Sequence, residues 1–119
     1  MPTGSEIFKS SRRVLLGAAV LLLPVGCGMM GYQSPPVSPA LQKYSKATST
    51  MLERGYVVHQ AKCAKCHPFE NPADYTPEEL RSDVMPAMAR KSKLDAADEE
   101  AVLEYLLAAR QLPPPPEAP

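Results

Sequence analysis

The chain of 119 residues has no tryptophan and only seven aromatic side chains, two Phe and five Tyr. It has no excess of either charge, because 13 Lys and Arg balance 13 Asp and Glu. That balance excludes the strongly basic surface with which proteins attract nucleic acid. The longest apolar run, Val14–Val25, has 12 residues, well short of the roughly 20 that a transmembrane helix needs. We therefore expect one small domain, without a nucleic-acid partner and without a permanent membrane-spanning helix.

The 14 prolines are concentrated near position 36 and in the last residues of the chain. We divide the chain into four parts: an export signal over 1–26, a Pro/Ser-rich linker over 27–40, a folded domain over 41–112 and a Pro-rich tail over 113–119. The two proline clusters mark the linker and the tail. Prolines favour an extended, unpacked chain in the linker. A domain on the order of 70 residues is only marginally stable without a disulfide, a metal or a cofactor. We expect this one to lose its fold when that additional support is missing.

The N-terminal segment has the pattern of an export signal. Three basic residues, Lys9, Arg12 and Arg13, precede the apolar run Val14–Val25, as in secretory signals. The run ends in Val25-Gly26-Cys27, which resembles the lipobox of bacterial lipoproteins. That resemblance implies that Cys27 is acylated and becomes the mature N-terminus, which anchors a periplasmic protein to the inner or the outer membrane. The alternative is an ordinary cleaved signal followed by an unmodified thiol.

The remaining pattern is helical. Apolar residues at intervals of three and four predict a helix from Leu41 to Lys62. The sequence Thr76-Pro77-Glu78-Glu79 predicts the start of a second helix through a capping box with proline at its first position, and Pro86 should kink or end that helix. Asp95 should cap a third helix that runs to Arg110, with the acidic run Asp98–Glu100 in solvent. No alternating pattern predicts a strand, so we expect an all-α fold.

The motif Cys63-Ala64-Lys65-Cys66-His67 carries the chemistry. Two thiols at this spacing, followed at once by histidine, are typical of c-type haem attachment. The thiols can add across the two vinyl groups of the porphyrin, and the histidine then faces the iron. Three alternatives remain open: a thioredoxin-like dithiol, which needs a strand context that this chain lacks; a zinc site that includes His59; and a short, weakly stabilising disulfide.

Over Leu41–Leu112 the sequence resembles small class I c-type cytochromes of the bacterial periplasm. The segment Glu53–Val58 is similar to the first helix of that family, whose glycine lets the last helix cross closely, and Val102–Leu106 is similar to that last helix. The resemblance implies about three helices packed around one covalently bound haem c, and a methionine as second axial ligand. Met85 and Met88 are the candidates, and the pattern V-x-P-x-M favours Met88. His59 is excluded because it lies on the same helix as the attachment site.

These residues predict a function in electron transfer. Iron held by His67 and a methionine has no vacant position for a substrate, so we expect an electron carrier and not an enzyme. Its partners would be redox proteins that bind weakly and transiently. Two alternatives stay open: a haem-based sensor of small ligands, and a relay subunit that is permanently docked on a larger oxidoreductase.

Overall fold

The computed structural model describes residues 31–113, and Cys27, the signal segment and residues 114–119 lie outside this range. The described residues form helices and turns without a strand, which confirms the all-α prediction for this part of the chain. The helices are α1 (Pro39–Gln42), α2 (Ser49–Lys62), α3 (Pro77–Glu79), a π-helical turn (Leu80–Val84), α4 (Met85–Ser92) and α5 (Ala96–Ala109). Two 3-10 turns, Cys63–Lys65 and Pro72–Asp74, connect them. Within the described range, no helix is long and apolar enough to cross a membrane.

The single helix predicted over 41–62 is wrong, because the structure divides it into α1 and α2. The side chain of Ser38 accepts a hydrogen bond from the Leu41 amide at the start of α1, and that of Thr48 accepts one from the Met51 amide at the start of α2. Two capped starts this close together require a break between them. Leu41 and Leu52 are nevertheless both fully buried. Their burial explains why the apolar spacing looked continuous.

The second helical run begins as predicted but passes Pro86 without ending. The Thr76 hydroxyl and the Glu79 carboxylate form the expected capping box. The amide of Met85 donates to the Leu80 carbonyl, five residues earlier, so the helix widens into a π turn just before the proline. Because Pro86 has no amide hydrogen and its ring would clash with the carbonyl of Ser82 in a regular α-helix, the wider turn accommodates it. The run ends where Lys93 takes a left-handed conformation with φ 53°.

α2 and α5 cross very closely at Gly55. A Cβ atom at this position would lie 2.1 Å from the Ala101 carbonyl oxygen. Directly beside the glycine, the ring of Tyr56 meets the ring of Tyr105 edge to face, with the centroids 5.6 Å apart. The close crossing that the sequence predicted at this glycine is therefore present, and it fixes α2, which leads into the cysteine motif.

Asp98 is buried, contrary to the prediction that it faces solvent. Its carboxylate accepts hydrogen bonds from Arg54 Nε at 2.9 Å and from Lys62 Nζ at 3.1 Å. These bonds hold the pKa of Asp98 below its usual value. The ion pairs connect the start of α5 to the end of α2, directly beside Cys63.

The second half of the predicted linker is extended, but it is packed on the domain. The Tyr105 hydroxyl donates to the Pro35 carbonyl at 2.7 Å, and the Ser34 hydroxyl lies 3.3 Å from His59 Nδ1. Val37 packs against the core. The folded unit therefore begins before residue 41.

Candidate cofactor site

The cysteine motif begins where α2 ends. The Cys63 amide donates to the His59 carbonyl as the C-cap of α2, and a 3-10 turn then leads to Cys66. Cys63 is buried and Cys66 is exposed, and both are free thiols. Burial raises the pKa of the Cys63 thiol, and the nearby Ser92 hydroxyl opposes that effect. The turn thus presents one sulfur to the interior and one to the surface.

His67 has one ring nitrogen ready to bind a metal. Its Nδ1 lies 2.7 Å from the carbonyl oxygen of Pro68. A carbonyl oxygen only accepts hydrogen bonds, so Nδ1 carries the proton and donates it. The lone pair is then on Nε2. A hydrogen bond of this kind fixes the tautomer and the ring orientation of metal-binding histidines.

A cleft joins the cysteine motif to the two candidate methionines. It contains about 520 Å³ of space, counting its solvent-filled mouth. The lining is mainly apolar and comes from the end of α2 with the cysteine motif, the loop that follows, the π turn with α4, and α5. Its residues are His59, Cys63, His67, Phe69, Glu70, Pro72, Tyr75, Leu80, Val84, Met85, Met88, Val102 and Leu106. The structure therefore brings together four of the five predicted cofactor residues, whereas Cys66 is outside the lining.

The two methionines differ in their packing. Met85 is only 2% exposed and belongs to the hydrophobic core. Met88 is half-buried and is not part of that core. Both sulfur-bearing side chains reach the same cleft. Met85 is therefore more deeply packed in the core than Met88 is.

His59 also lines the cleft, and its burial was not expected from the sequence. It is 6% exposed, and its ring stacks on Phe69 with centroids 4.2 Å apart. Burial lowers its pKa to about 4, so it is neutral at pH 7. The helical spacing could have predicted this position, because residues four apart share one face of a helix and His59 lies four residues before Cys63.

The zinc alternative finds no support in this geometry. Within residues 31–113, no group of three or more His, Cys, Asp or Glu side chains is arranged to hold a metal ion. In particular, His59 and His67 do not form such a group with the two cysteines.

Comparison with known proteins adds nothing to this geometry: no family model, no curated protein and no solved structure matches the chain. What the site can do follows from its donor atoms. The cleft is lined by one thiol, two thioethers and two imidazoles, and the second thiol, that of Cys66, is exposed outside the lining. Imidazole and thioether are ligands that iron accepts in cytochromes.

Proposed function

We propose that the chain is a monohaem c-type cytochrome that transfers single electrons between protein partners. The observation that supports this most strongly is the shared cleft, which gathers Cys63, His67, Met85 and Met88 from two segments that are about 20 residues apart in sequence. The donor set suits haem c: thiols for covalent attachment, an oriented imidazole and a thioether. The apolar lining suits a porphyrin, which needs an apolar environment.

Each residue has a distinct task in this proposal. Cys63 and Cys66 hold the porphyrin covalently, which matters in a domain too small to enclose it. Nε2 of His67 would bind the iron, with the ring kept in place by the hydrogen bond from Nδ1 to the Pro68 carbonyl. Met88 would be the second ligand, because Met85 is more deeply packed in the core. When bound, the haem iron changes between its ferric and ferrous forms by one electron, and a thioether ligand raises the reduction potential.

The surface around the motif suits brief encounters with a partner. Four cationic side chains are exposed and pair with no carboxylate within residues 31–113; they are Lys65, Arg90, Lys91 and Lys93. Lys62 does not belong to this group, because Asp98 binds it. We propose that these four cations attract an acidic redox partner, with an affinity that falls as salt is added. Acylation of Cys27 would keep the carrier at the periplasmic face of a membrane.

The proposal can be tested with cysteine variants expressed in cells that attach haem. The double variant Cys63→Ala/Cys66→Ala should lose all haem that survives denaturing electrophoresis. Cys27→Ser is the matched control, since it also removes a thiol, and it should keep its haem while losing the lipid. Equal haem staining of wild type and the double variant, or no staining in the wild type, would refute covalent attachment.

A further inference from the structure

A groove free of charged side chains lies where the chain enters and leaves the domain. It is lined by the extended segment Gly31–Pro36, by Asn71 and Ala73, and by the end of α5 with Leu112 and Pro113. No Asp, Glu, Lys or Arg lines it. The nearest cation along the chain, Arg110, is directed elsewhere, because its guanidinium donates to the Tyr75 carbonyl at 3.1 Å.

The segment beside this groove is fixed to the domain. Pro35 accepts the hydrogen bond of the buried Tyr105 hydroxyl, Ser34 contacts His59, and Val37 packs on the core. The anchoring tether is therefore not the whole of residues 28–40. Gly31 already lies beside Pro68, since a Cβ atom at Gly31 would be 3.5 Å from the Pro68 Cβ, so at most the residues between Cys27 and Gly31 can serve as a tether.

The length of this tether limits how far the domain can stand from its anchor. Four fully extended residues reach about 14 Å, whereas the 13 residues of an unpacked linker would reach about 45 Å. A tether of this length keeps Gly31 within about 14 Å of its anchor, so the domain cannot turn freely above the bilayer. The face where the tether begins must stay close to the lipid headgroups.

We propose that this face, formed by Gly31–Pro36 and Leu112–Pro113, lies against the lipid surface when Cys27 is acylated. The inference rests on the lipid anchor of the proposed function and not on the haem. Tyr32, Leu112 and the prolines offer side chains that tolerate the interfacial region, and the absence of charge avoids the cost of removing ions from water. Ser34 joins this face to His59, which lines the cofactor cleft, so the cofactor is held near the membrane. Its partners are then proteins that are themselves bound to that membrane.

Hydrogen exchange tests the contact directly. The acylated protein is placed on vesicles of phosphatidylethanolamine with a minor part of phosphatidylglycerol, and it is compared with the Cys27→Ser protein in solution. We expect slower exchange on vesicles at the amides of 31–34 and 110–112, and unchanged exchange in the exposed turn 81–83. The slowing should persist in high salt, because no charges mediate it.

A pair of insertions separates the tether from other causes. Ten Gly and Ser residues inserted between Met30 and Gly31 extend the reach to about 50 Å and should abolish the slowing. The same insertion after Pro113 is the matched control and should leave it intact. Slowing that survives the first insertion would overturn the short-tether argument.

Two further outcomes would also contradict the inference. Salt-sensitive slowing at 90–93 in place of 31–34 would mean that the cationic residues face the lipid. An unmodified Cys27 in the intact mass would remove the premise. Neither result bears on the haem, whose presence is read separately from the visible spectrum of the same samples.

Discussion

The close crossing of α2 and α5 makes Gly55→Ala the most informative change in the core. The added Cβ would lie 2.1 Å from the Ala101 carbonyl oxygen and 2.8 Å from Tyr105 Cβ. Carbon and oxygen atoms approach to about 3.3 Å at the closest in packed helices, so the two helices must separate by about 1 Å. The atom that blocks the methyl group belongs to a helix backbone, which cannot rotate aside.

The expected loss of stability follows from two opposing effects. Overpacking a core costs about 1–3 kcal/mol, and the upper end applies because backbone must move. Alanine is favoured over glycine in a helix by about 1 kcal/mol. The net loss is therefore about 2 kcal/mol, which corresponds to a decrease in Tm of about 8–16 °C for a domain of this size.

Circular dichroism during heating and in guanidinium chloride measures this loss on the purified, cofactor-loaded protein. The control is Val57→Ala on the same helix, because Val57 is 58% exposed and surface changes stay within about 0.5 kcal/mol. Adding Ala101→Gly to the Gly55→Ala protein should not restore stability, since the contact involves the backbone oxygen of Ala101. A Gly55→Ala protein that unfolds at or above the wild-type temperature would refute the close crossing.

Three further predictions concern charge and sulfur. Because ion pairs lower the pKa of Asp98, Asp98→Asn should reduce stability at pH 7. The difference from wild type should begin to shrink below the unfolded-state pKa near 3.9 and disappear once the pH has fallen through the lower folded-state pKa. Because the pKa of His59 is lowered to about 4, the free energy of unfolding should decrease by about 3 kcal/mol between pH 6.5 and 4. His59→Phe should make that decrease smaller. The free energy of unfolding is measured by denaturation at several pH values, and an unchanged pH dependence in the variant would contradict the prediction. Met88→Ala should abolish the near-infrared sulfur-to-iron band and allow carbon monoxide to bind the ferrous protein, whereas Met85→Ala should keep the band and cost about 2–5 kcal/mol of stability. Loss of the band in Met85→Ala alone would reverse the ligand assignment. Rapid carbon monoxide binding by the wild type would favour a sensor.

The features that the sequence predicted well are those that depend on neighbouring residues. The capping box of Thr76 and Glu79 and the cap at Asp95 are local, since the partners lie three residues apart. The close crossing at Gly55 was expected only from the resemblance of Glu53–Val58 to the first helix of class I c-type cytochromes, and the structure has that crossing.

The features that it missed depend on residues far apart in the chain. Asp98 is buried because Arg54 and Lys62, 44 and 36 residues away, neutralise it. An acidic run in the sequence does not indicate such distant partners. The packing of Pro35 on Tyr105 spans 70 residues, and proline-rich composition indicates only an extended backbone. Pro86 predicted a disturbance of its helix but not the form of that disturbance, which is a π turn just before the proline.

We propose that Cys63 and Cys66 carry one haem whose iron is bound by His67 and a methionine. The intact mass and the visible spectrum of the exported protein test this proposal together. We expect the mass of the mature chain plus one haem, with the acyl groups on Cys27, and the sharp bands of a six-coordinate ferrous haem after reduction. A mass without haem, from cells that attach haem to other proteins, would contradict it.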